Sequence, residues 1–557
     1  MPSARPPRRA HVPRALSAAA VSLGVAALVA ARRPAEVAPA AGEPCPFVVA
    51  RPADAPALAR EFRAAWISPV ESGEWPSSPD LTDADHQQEL RDVLDRASAV
   101  GLNAVIVHVR PAADALYPSA RAPWSSYIAR DGLAPRYDPL QFALGEAHRR
   151  GLQFHAWYNP FRAAPPDRSR PAVGAARIAE TRPEWVVRYG GQRWIDPGDP
   201  EARAAVLAEL LDVVARYDVD AVHLDDYFYP YLEERTWTER VRAGGTRRRP
   251  RYRMVRHTET IPFPDDRTWE RYGRPAGFRT RGDWRRENVS QFVRALYEGV
   301  KARKPWVQVG ISPFGIWRPG APAGLTGLDA YAEIFADSRR WWREGWLDYL
   351  APQLYWRNDN DQRRNQRLDA WWRAENARER HLYPGMLTMR VASGAARWAP
   401  SEIEGQIAHY RDVRAGSPEA LGHVHFRMQS LLEEAPGGLG DRLRVGAYVE
   451  PALPPASPWL GEQAPGAPRY TGCSVGAGAA VAVAASAGEP PRWWAVQWRD
   501  ALGRWSLRAY PAAAGVFTAR LGDGSAATAM AVRAVSATGV AGPALVLTTA
   551  AGGDAGR

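Results

Sequence analysis

The sequence predicts an α/β protein, a (β/α)8 TIM barrel followed by a small all-β sandwich. Three observations predict it. Eight short apolar runs between residues 61 and 428 are separated by helical sequence, and strands that alternate with helices build a parallel sheet, which eight such units close into a barrel. Several of the runs end in aromatic and polar residues, where barrel proteins carry their chemistry. From Glu450 the composition turns Pro-rich and then breaks into short strands spaced by Gly, Asp and Pro.

The elements follow in order. Residues 1–40 read as a signal peptide or N-terminal anchor: Arg5, Arg8, Arg9 and Arg14 precede an apolar run from Ala15 to Ala31, and Ala38-Pro39-Ala40 offers a small-residue cleavage site. Residues 41–60 are a Pro/Ala-rich linker. The barrel occupies 61–450, opening on EFRAAWISP (61–69) and a loop whose Asp83 starts a helix through Ala97. LNAVIVHV (102–109) is a continuous apolar run of the kind buried on both faces. The helix Pro139–Arg150 leads to LQFHAWYNPF (152–161), and the amphipathic helix Pro200–Tyr217 leads to the strand at Ala221–Leu224. WVQVGISPFGIW (306–317), LDYLAPQLYW (347–356), LYPGMLTM (382–389) and GHVHFRM (422–428) complete the eight. Residues 451–470 form a Pro-rich linker, expected to act as a semi-rigid spacer that leaves the tail dispensable for chemistry. Residues 471–550 carry the sandwich, with RWWAVQWRD and RWSLRAYP among its strands.

The stretch Asp220–Pro230, DAVHLDDYFYP, holds the chemistry. Side chains alternate along a strand, so Ala221, His223 and Asp225 share the face predicted to point into the barrel, while Val222 and Leu224 meet the helices. Two adjacent acids, Asp225 and Asp226, end the strand and are followed by Tyr227, Phe228, Tyr229 and Tyr231. One Asp there could simply cap a helix; two acids beside four aromatic rings point to a sugar site. Hydrolysis of a glycosidic bond needs carboxyl groups in two roles. Asp225 is the first candidate, and Asp226 is its partner or the group that orients Tyr227. Glu71, Glu74, Asp114, Asp196 and Asp199 are further carboxylates in loops on the same face, each read as structural. His155 and His223 read as satisfied core histidines.

Charge and motifs exclude other classes. The net charge of +11 comes from two places: six arginines without an acid in residues 1–35, and nine arginines against three glutamates in Glu233–Arg256. Each contributes +6, so the remainder is about −1, and a nucleic-acid partner is not expected. The 23 Trp and 20 Tyr suit walls that stack on sugars. No Gly-rich phosphate fingerprint and no GxSxG is present. The two cysteines, Cys45 and Cys473, are too few for a zinc site; pairing in an oxidising compartment is open. The Arg-rich segment is either a solvated insertion or a device that captures an anionic glycan.

The motifs AAWISP, LNAVIVHVRPAADALYPS, PWSSYIA, YDPLQFALGEAHRRGLQFHAWYNPFRA, RYDVDAVHLDDYFYP, VGISPFGIWR and WLDYLAPQLYW, in this order between Glu61 and Gly446, resemble the bacterial glycosyl-hydrolase-like family 10. The resemblance implies an exported TIM-barrel glycoside hydrolase of the periplasm, cell envelope or exterior. Its implied substrate is a cell-envelope polysaccharide, above all peptidoglycan glycan strands without stem peptides. It implies no metal or organic cofactor, and membrane contact only through an uncleaved N-terminal segment. A non-catalytic glycan-binding protein, or a hydrolase of another exopolysaccharide, are the alternatives. The tail resembles a fibronectin-III-like module. Carried onto this sequence, the resemblance implies catalysis by Asp225 and Asp226 and a cleft lined by Arg110, Tyr117, Trp157, Tyr158, Asn159, Tyr227, Ser312, Trp317, Gln353, Tyr355 and Trp356. Two departures stand out: the enlarged Glu233–Arg256 loop, and ESGEWPS after the first strand.

Overall fold

A computed structural model of the chain describes residues 45–549, apart from 52–53, 71–72, 130–132, 165–172, 175–176, 248, 360–363, 393–396, 416–420, 433–436, 475–478 and 487. The leader expected over residues 1–40 lies outside the described residues.

Local signals start the helices. Thr82 forms a capping box with Asp85 at the head of Asp83–Val100. Asp138 and Asp199 each accept two backbone N–H groups ahead of a proline, opening Pro139–Arg149 and Pro200–Arg216. Each helix returns the chain to a parallel strand. The strands Phe62–Ile67, Ala104–Arg110, Gln153–Tyr158, Ala221–Leu224, Gln308–Ile311 and Tyr349–Leu350 pair successively. The next strand comes in two pieces. His381–Leu382 pairs with Tyr349–Leu350, and Gly385–Met386 pairs with Gly422–His425, which in turn pairs with the first strand. The outer members of this nine-segment parallel order are thus consecutive pieces of chain, and the curled sheet returns to its own beginning.

Alternation sorts side chains into two layers, as the sequence predicts for Ala221–Leu224. Ala65, Ile67, Val105, Val107, Val222, Leu224, Val309 and Ile311 face the helices. Phe62, Trp66, Ile106, Trp157, Tyr349 and Tyr383 fill the interior. Gly310 is required here: a Cβ on it would lie 2.0 Å from the Tyr349 ring. The polar members of this layer satisfy one another. Trp66 Nε1–H, which can only donate, reaches His223 Nε2 at 3.1 Å. His223 therefore carries its proton on Nδ1 and donates to Tyr349 Oη at 2.8 Å, and Tyr349 donates onward to His155 Nδ1 at 2.9 Å. Burial holds both histidines below their usual pKa, His155 at about 4, so both rings are neutral. These are the satisfied core histidines expected from sequence.

Two antiparallel sheets follow the barrel. Trp493–Arg499, Trp505–Pro511, Ala529–Val535 and Ala541–Thr549 belong to a five-stranded sheet, and Arg469–Ser474, Ala480–Ala484 and Val516–Thr518 form a three-stranded one. Val481, Val483 and Phe517 of one meet Trp494, Trp498, Met530 and Leu547 of the other in a shared core. The fifth strand of the larger sheet is Phe47–Ala50, antiparallel to Val546–Thr549, in a stretch that the sequence assigns to a linker. Cys45 is disulfide-bonded to Cys473, which ties that strand to the smaller sheet as well.

The spacer reading of 451–470 is also corrected. Leu453 is buried with Trp493, Ala495 and Val535, and Trp459 Nε1 donates to Asp348 at 2.9 Å. Arg60 donates to the carbonyls of Pro454 and Gly539, both at 2.8 Å. Gly151 (φ +75°) permits the approach of strand Trp505–Pro511; a Cβ there would lie 2.5 Å from the Ala509 carbonyl oxygen. Arg492 pairs with Asp218 and with Asp220, the latter at 2.9 Å, while His148 holds the other Asp220 oxygen at 2.9 Å. Arg60, Asp220 and Asp348 all precede barrel strands. The sandwich therefore packs on the N-terminal end of the barrel, opposite Asp225.

Two predictions follow from this packing. A chain ending near Pro451 should fail to fold, because it removes the apolar cover around Leu453 and takes the Arg492 guanidinium from Asp220; soluble expression and circular dichroism read this directly. Arg492 and His148 hold the Asp220 carboxyl well below the usual range against its burial, so its contribution is present above about pH 3.9 and fades as pH falls toward the lower folded value. Arg492→Ala should cost about 2–3 kcal/mol at neutral pH, with the deficit shrinking in acid denaturation. Separately, Tyr349→Phe strands two buried histidine nitrogens and should lower stability by about 1–3 kcal/mol in urea unfolding.

Candidate active site

The strand Ala221–Leu224 is held between Gln153–Tyr158 and Gln308–Ile311 and ends on the Asp225–Asp226 pair. Asp226 N–H donates to Asp225 Oδ1 at 3.0 Å, and the two carboxyl side chains lie within hydrogen-bond reach of each other. Burial, the Asp226 charge and this close approach push the Asp225 carboxyl well above the usual carboxylate range, which the nearby Arg162 guanidinium only partly offsets. Asp225 is therefore the member that keeps the proton. Asp226 accepts a second hydrogen bond, from Tyr231 Oη at 2.5 Å.

Rings wall the pair. Tyr227 packs at 5.8 Å against both Trp194 and Tyr231, and the Arg162 guanidinium lies 5.0 Å from its centroid. Tyr231 meets the edge of Phe314 at 6.0 Å. On the other side Tyr355, whose hydroxyl feels both Asp225 and Asp226, stacks on Phe426 at 5.5 Å. Phe426 in turn meets Trp66. Beneath them Trp157 stacks on His108 at 3.9 Å. Trp157 Nε1, His108 Nε2 and Asn159 Oδ1 are buried without a hydrogen-bond partner among the described residues. Buried polar groups are normally satisfied, so orphans grouped on neighbouring strands mark a place where a polar ligand supplies partners.

The residues carried over from the resemblance divide. Asp225, Asp226, Trp157, Asn159, Tyr227 and Tyr355 gather here; Asn159 also lies within hydrogen-bond reach of Tyr227. Arg110, Tyr117 and Tyr158 do not. A bulge between His108 and Arg110 shifts the register so that Arg110 pairs with Tyr158, on the face toward the helices. There Arg110 forms an ion pair with Glu209 at 3.0 Å and donates to the Asn159 carbonyl at 2.6 Å; Tyr117 and Tyr158 are buried in the same layer. Ser312 and Gln353 are frame residues: the Gln353 amide donates to the Ser312 carbonyl at 3.2 Å. Trp317 donates to Asp337 and Trp356 packs on the helix layer, neither touching the acids.

Arg162, Tyr231, Phe314, Phe426 and Trp66 are site residues that the carried-over set lacks. Each stands within a few residues of a strand's C-terminal end or on an interior position, which was the available signal. Of the further carboxylates, Glu74 pairs with Arg427 at 2.8 Å, Asp199 caps a helix and Asp196 accepts from Thr268 at 2.6 Å. Asp114 is buried, accepting from the Ala112 N–H at 3.2 Å. Glu71 lies outside the described residues. Those residues contain no group of three or more His, Cys, Asp or Glu able to hold a metal ion.

The chain is similar to proteins already named. The family model described as glycosyl hydrolase-like 10 matches residues 61–400. A protein of Bacillus subtilis (strain 168) named glycosyl hydrolase YngK is 38% identical over 435 residues, which cover 76% of this chain and 79% of that one. Glycosyl hydrolase DigH of Escherichia coli (strain K12) is 31% identical over 401 residues, covering 68% and 85%. Among solved structures, the glycoside hydrolase domain of PgaB (BpsB) from Bordetella bronchiseptica aligns with a TM-score of 0.44 and 13% identity, covering 70% of this chain and 98% of that one. By the family match and the two relatives, the chain belongs to the glycosyl hydrolase-like 10 family and is a glycoside hydrolase.

Proposed function

We propose that the protein is an exported hydrolase of peptide-free peptidoglycan glycan strands, built as a (β/α)8 barrel with a fibronectin-III-like module. The observation that carries the chemistry is the Asp225–Asp226 pair at the end of a barrel strand, with Asp226 held by Tyr231 and rings on both sides. The family resemblance supports the substrate. Export is supported by the Arg-headed apolar leader and by the Cys45–Cys473 disulfide, a bond that persists in oxidising compartments.

The pair's geometry shapes the mechanism. Protein carboxyls that flank a glycosidic bond stand ~5–5.5 Å apart in retaining enzymes and ~6.5–9.5 Å apart in inverting ones. Asp225 and Asp226 touch, so they act from one side of the bond. Asp225 gives its proton to the departing oxygen as the bond to C1 breaks. The carbonyl oxygen of the sugar's own 2-acetamido group, present on both peptidoglycan sugars, attacks C1 from the opposite face, while Asp226 accepts the amide N–H. Water then adds to C1, reopens the ring so formed and returns a proton to Asp225. The anomeric configuration is retained.

Purified denuded strands should be cut with retention, visible by proton NMR of early products. De-N-acetylated strands should resist, and Glu71→Gln should leave turnover unchanged. Inversion, or loss of activity in Glu71→Gln, would transfer the second role to a protein carboxylate. Asp225→Asn should lower kcat about 10²–10⁴-fold. Because Asp225 must be protonated to act, the wild-type rate should fall as pH rises through its elevated pKa, and that alkaline limb should vanish in the variant.

A further inference from the structure

The Arg-rich segment is an ordered arm. Glu233–Gly245 and Pro250–Ile261 pair as a long antiparallel hairpin, roughly 40 Å from base to tip at 3.3 Å per residue. Its base is clasped by Tyr189, whose hydroxyl accepts from Glu233 N–H at 2.8 Å and donates to the Ile261 carbonyl at 2.6 Å. The arm begins two residues after Tyr231, the residue hydrogen-bonded to Asp226, so it rises from the rim of the active site.

Strand alternation divides its charges. One face carries Arg235, Trp237, Glu239, His257 and Glu259, joined by an Arg235–Glu259 ion pair at 2.8 Å, a His257–Glu239 contact at 3.1 Å and stacking of Trp237 on His257. Glu233 and Arg253 stand on this face too, so its acids outnumber its arginines by three to two, and its Val241, Val255 and His257 are half-buried. The other face carries Arg240, Arg242, Tyr252, Met254 and Arg256 among four threonines, with Glu234 as its lone acid. Every residue on this second face is exposed. Arg240 lies over the Tyr252 ring at 3.9 Å, and none of the three arginines has an acidic partner among the described residues. Arg247, Arg249 and Arg251 extend the positive charge around the turn.

An isolated two-stranded hairpin is marginal in water, and a row of uncompensated cations on it repels itself. Both facts point to an anionic occupant of the exposed face. We propose that this face is a second binding site for the substrate polymer, holding by charge the carboxylate-bearing glycan strand that the cleft cuts. The inference rests on the reading of the substrate given above. Each sugar of a peptide-free strand that bears a lactyl carboxylate repeats a negative charge along an extended chain, which matches a line of arginines better than it matches a compact anion. The Tyr252 ring and the Met254 side chain offer apolar contact for the sugar faces.

The test uses the full chain carrying Asp225→Asn, so that binding is measured without cleavage. Denuded glycan strands are the probe, and a poly-N-acetylglucosamine strand without carboxylates is the neutral control. Arg240→Ser/Arg242→Ser/Arg256→Ser should weaken binding to denuded strands about tenfold at low salt. The difference should close at high salt, where screening reaches about 3 Å at 1 M. The corresponding three Arg→Lys changes should retain most of the affinity, which a structural role for the arginine side chains would not allow. Unchanged binding of the Ser variant at low salt, or equal loss on the neutral strand, overturns the proposal. So does tighter arm-dependent binding to anionic lipid vesicles than to strands. The substrate reading is judged apart from this, by whether the chain with Asp225 intact cuts denuded strands at all.

Discussion

Two carboxyl groups stand in immediate succession at the end of one strand, walled by rings, Asp225 half-buried and Asp226 buried. Asp225 is pushed toward its protonated form by burial and by the neighbouring Asp226, while Asp226 is stabilised by Tyr231. Arg162 tempers the pair without cancelling it. The rest of the site serves this asymmetry: Tyr227, Tyr355 and Phe426 limit water, and the strand fixes the two backbones so that one acid can hold the other's proton. Burial alone would raise a single acid at this position, and the neighbouring Asp226 raises Asp225 further. The polar interior layer underneath keeps the strand in place without adding charge, since its histidines are neutral.

The barrel's other end is closed by different means. There the sandwich supplies what a barrel bottom lacks, namely a cation for Asp220, a donor for Asp348 and an apolar cover for the strand starts. Chemistry and stability thus occupy opposite ends of one set of strands, as the barrel architecture favours. Loops around Asp225 can vary in length without disturbing the seam, and the long hairpin after Tyr231 is such a variation.

Much of this was legible in the sequence, and the exceptions have physical causes. The strands and the acids at Asp225–Asp226 announce themselves through apolar runs and their polar ends. Arg110 misled because a bulge adds one residue to its strand, and one residue reverses which face a side chain takes; Tyr158 follows plain alternation with Trp157 and so faces the helices. No periodicity announces a bulge. Phe47–Ala50 was invisible for another reason: four residues carry too little pattern, and their partner lies some five hundred residues on. The hairpin had a signal, Gly244-Gly245 between runs containing Thr, Val and Tyr, but the density of arginines reads as a solvated loop. Trp459 and Leu453 were hidden in proline-rich sequence, which suggests a tether until a surface is available for it to cover.

The strand at Phe47–Ala50 also sets an order of events during synthesis. It is among the first described residues to leave the ribosome, yet the strand it joins, Val546–Thr549, is among the last. Chains fold from the N-terminus as they emerge, so this segment must stay unpaired while the entire barrel is made. Cys45 likewise waits for Cys473. The sandwich can be completed only once Val546–Thr549 has been made, and until then the barrel bottom around Asp220 and Asp348 stands open to water. The strand Ala541–Thr549 therefore acts as a latch: its arrival pairs Phe47–Ala50 and completes the five-stranded sheet.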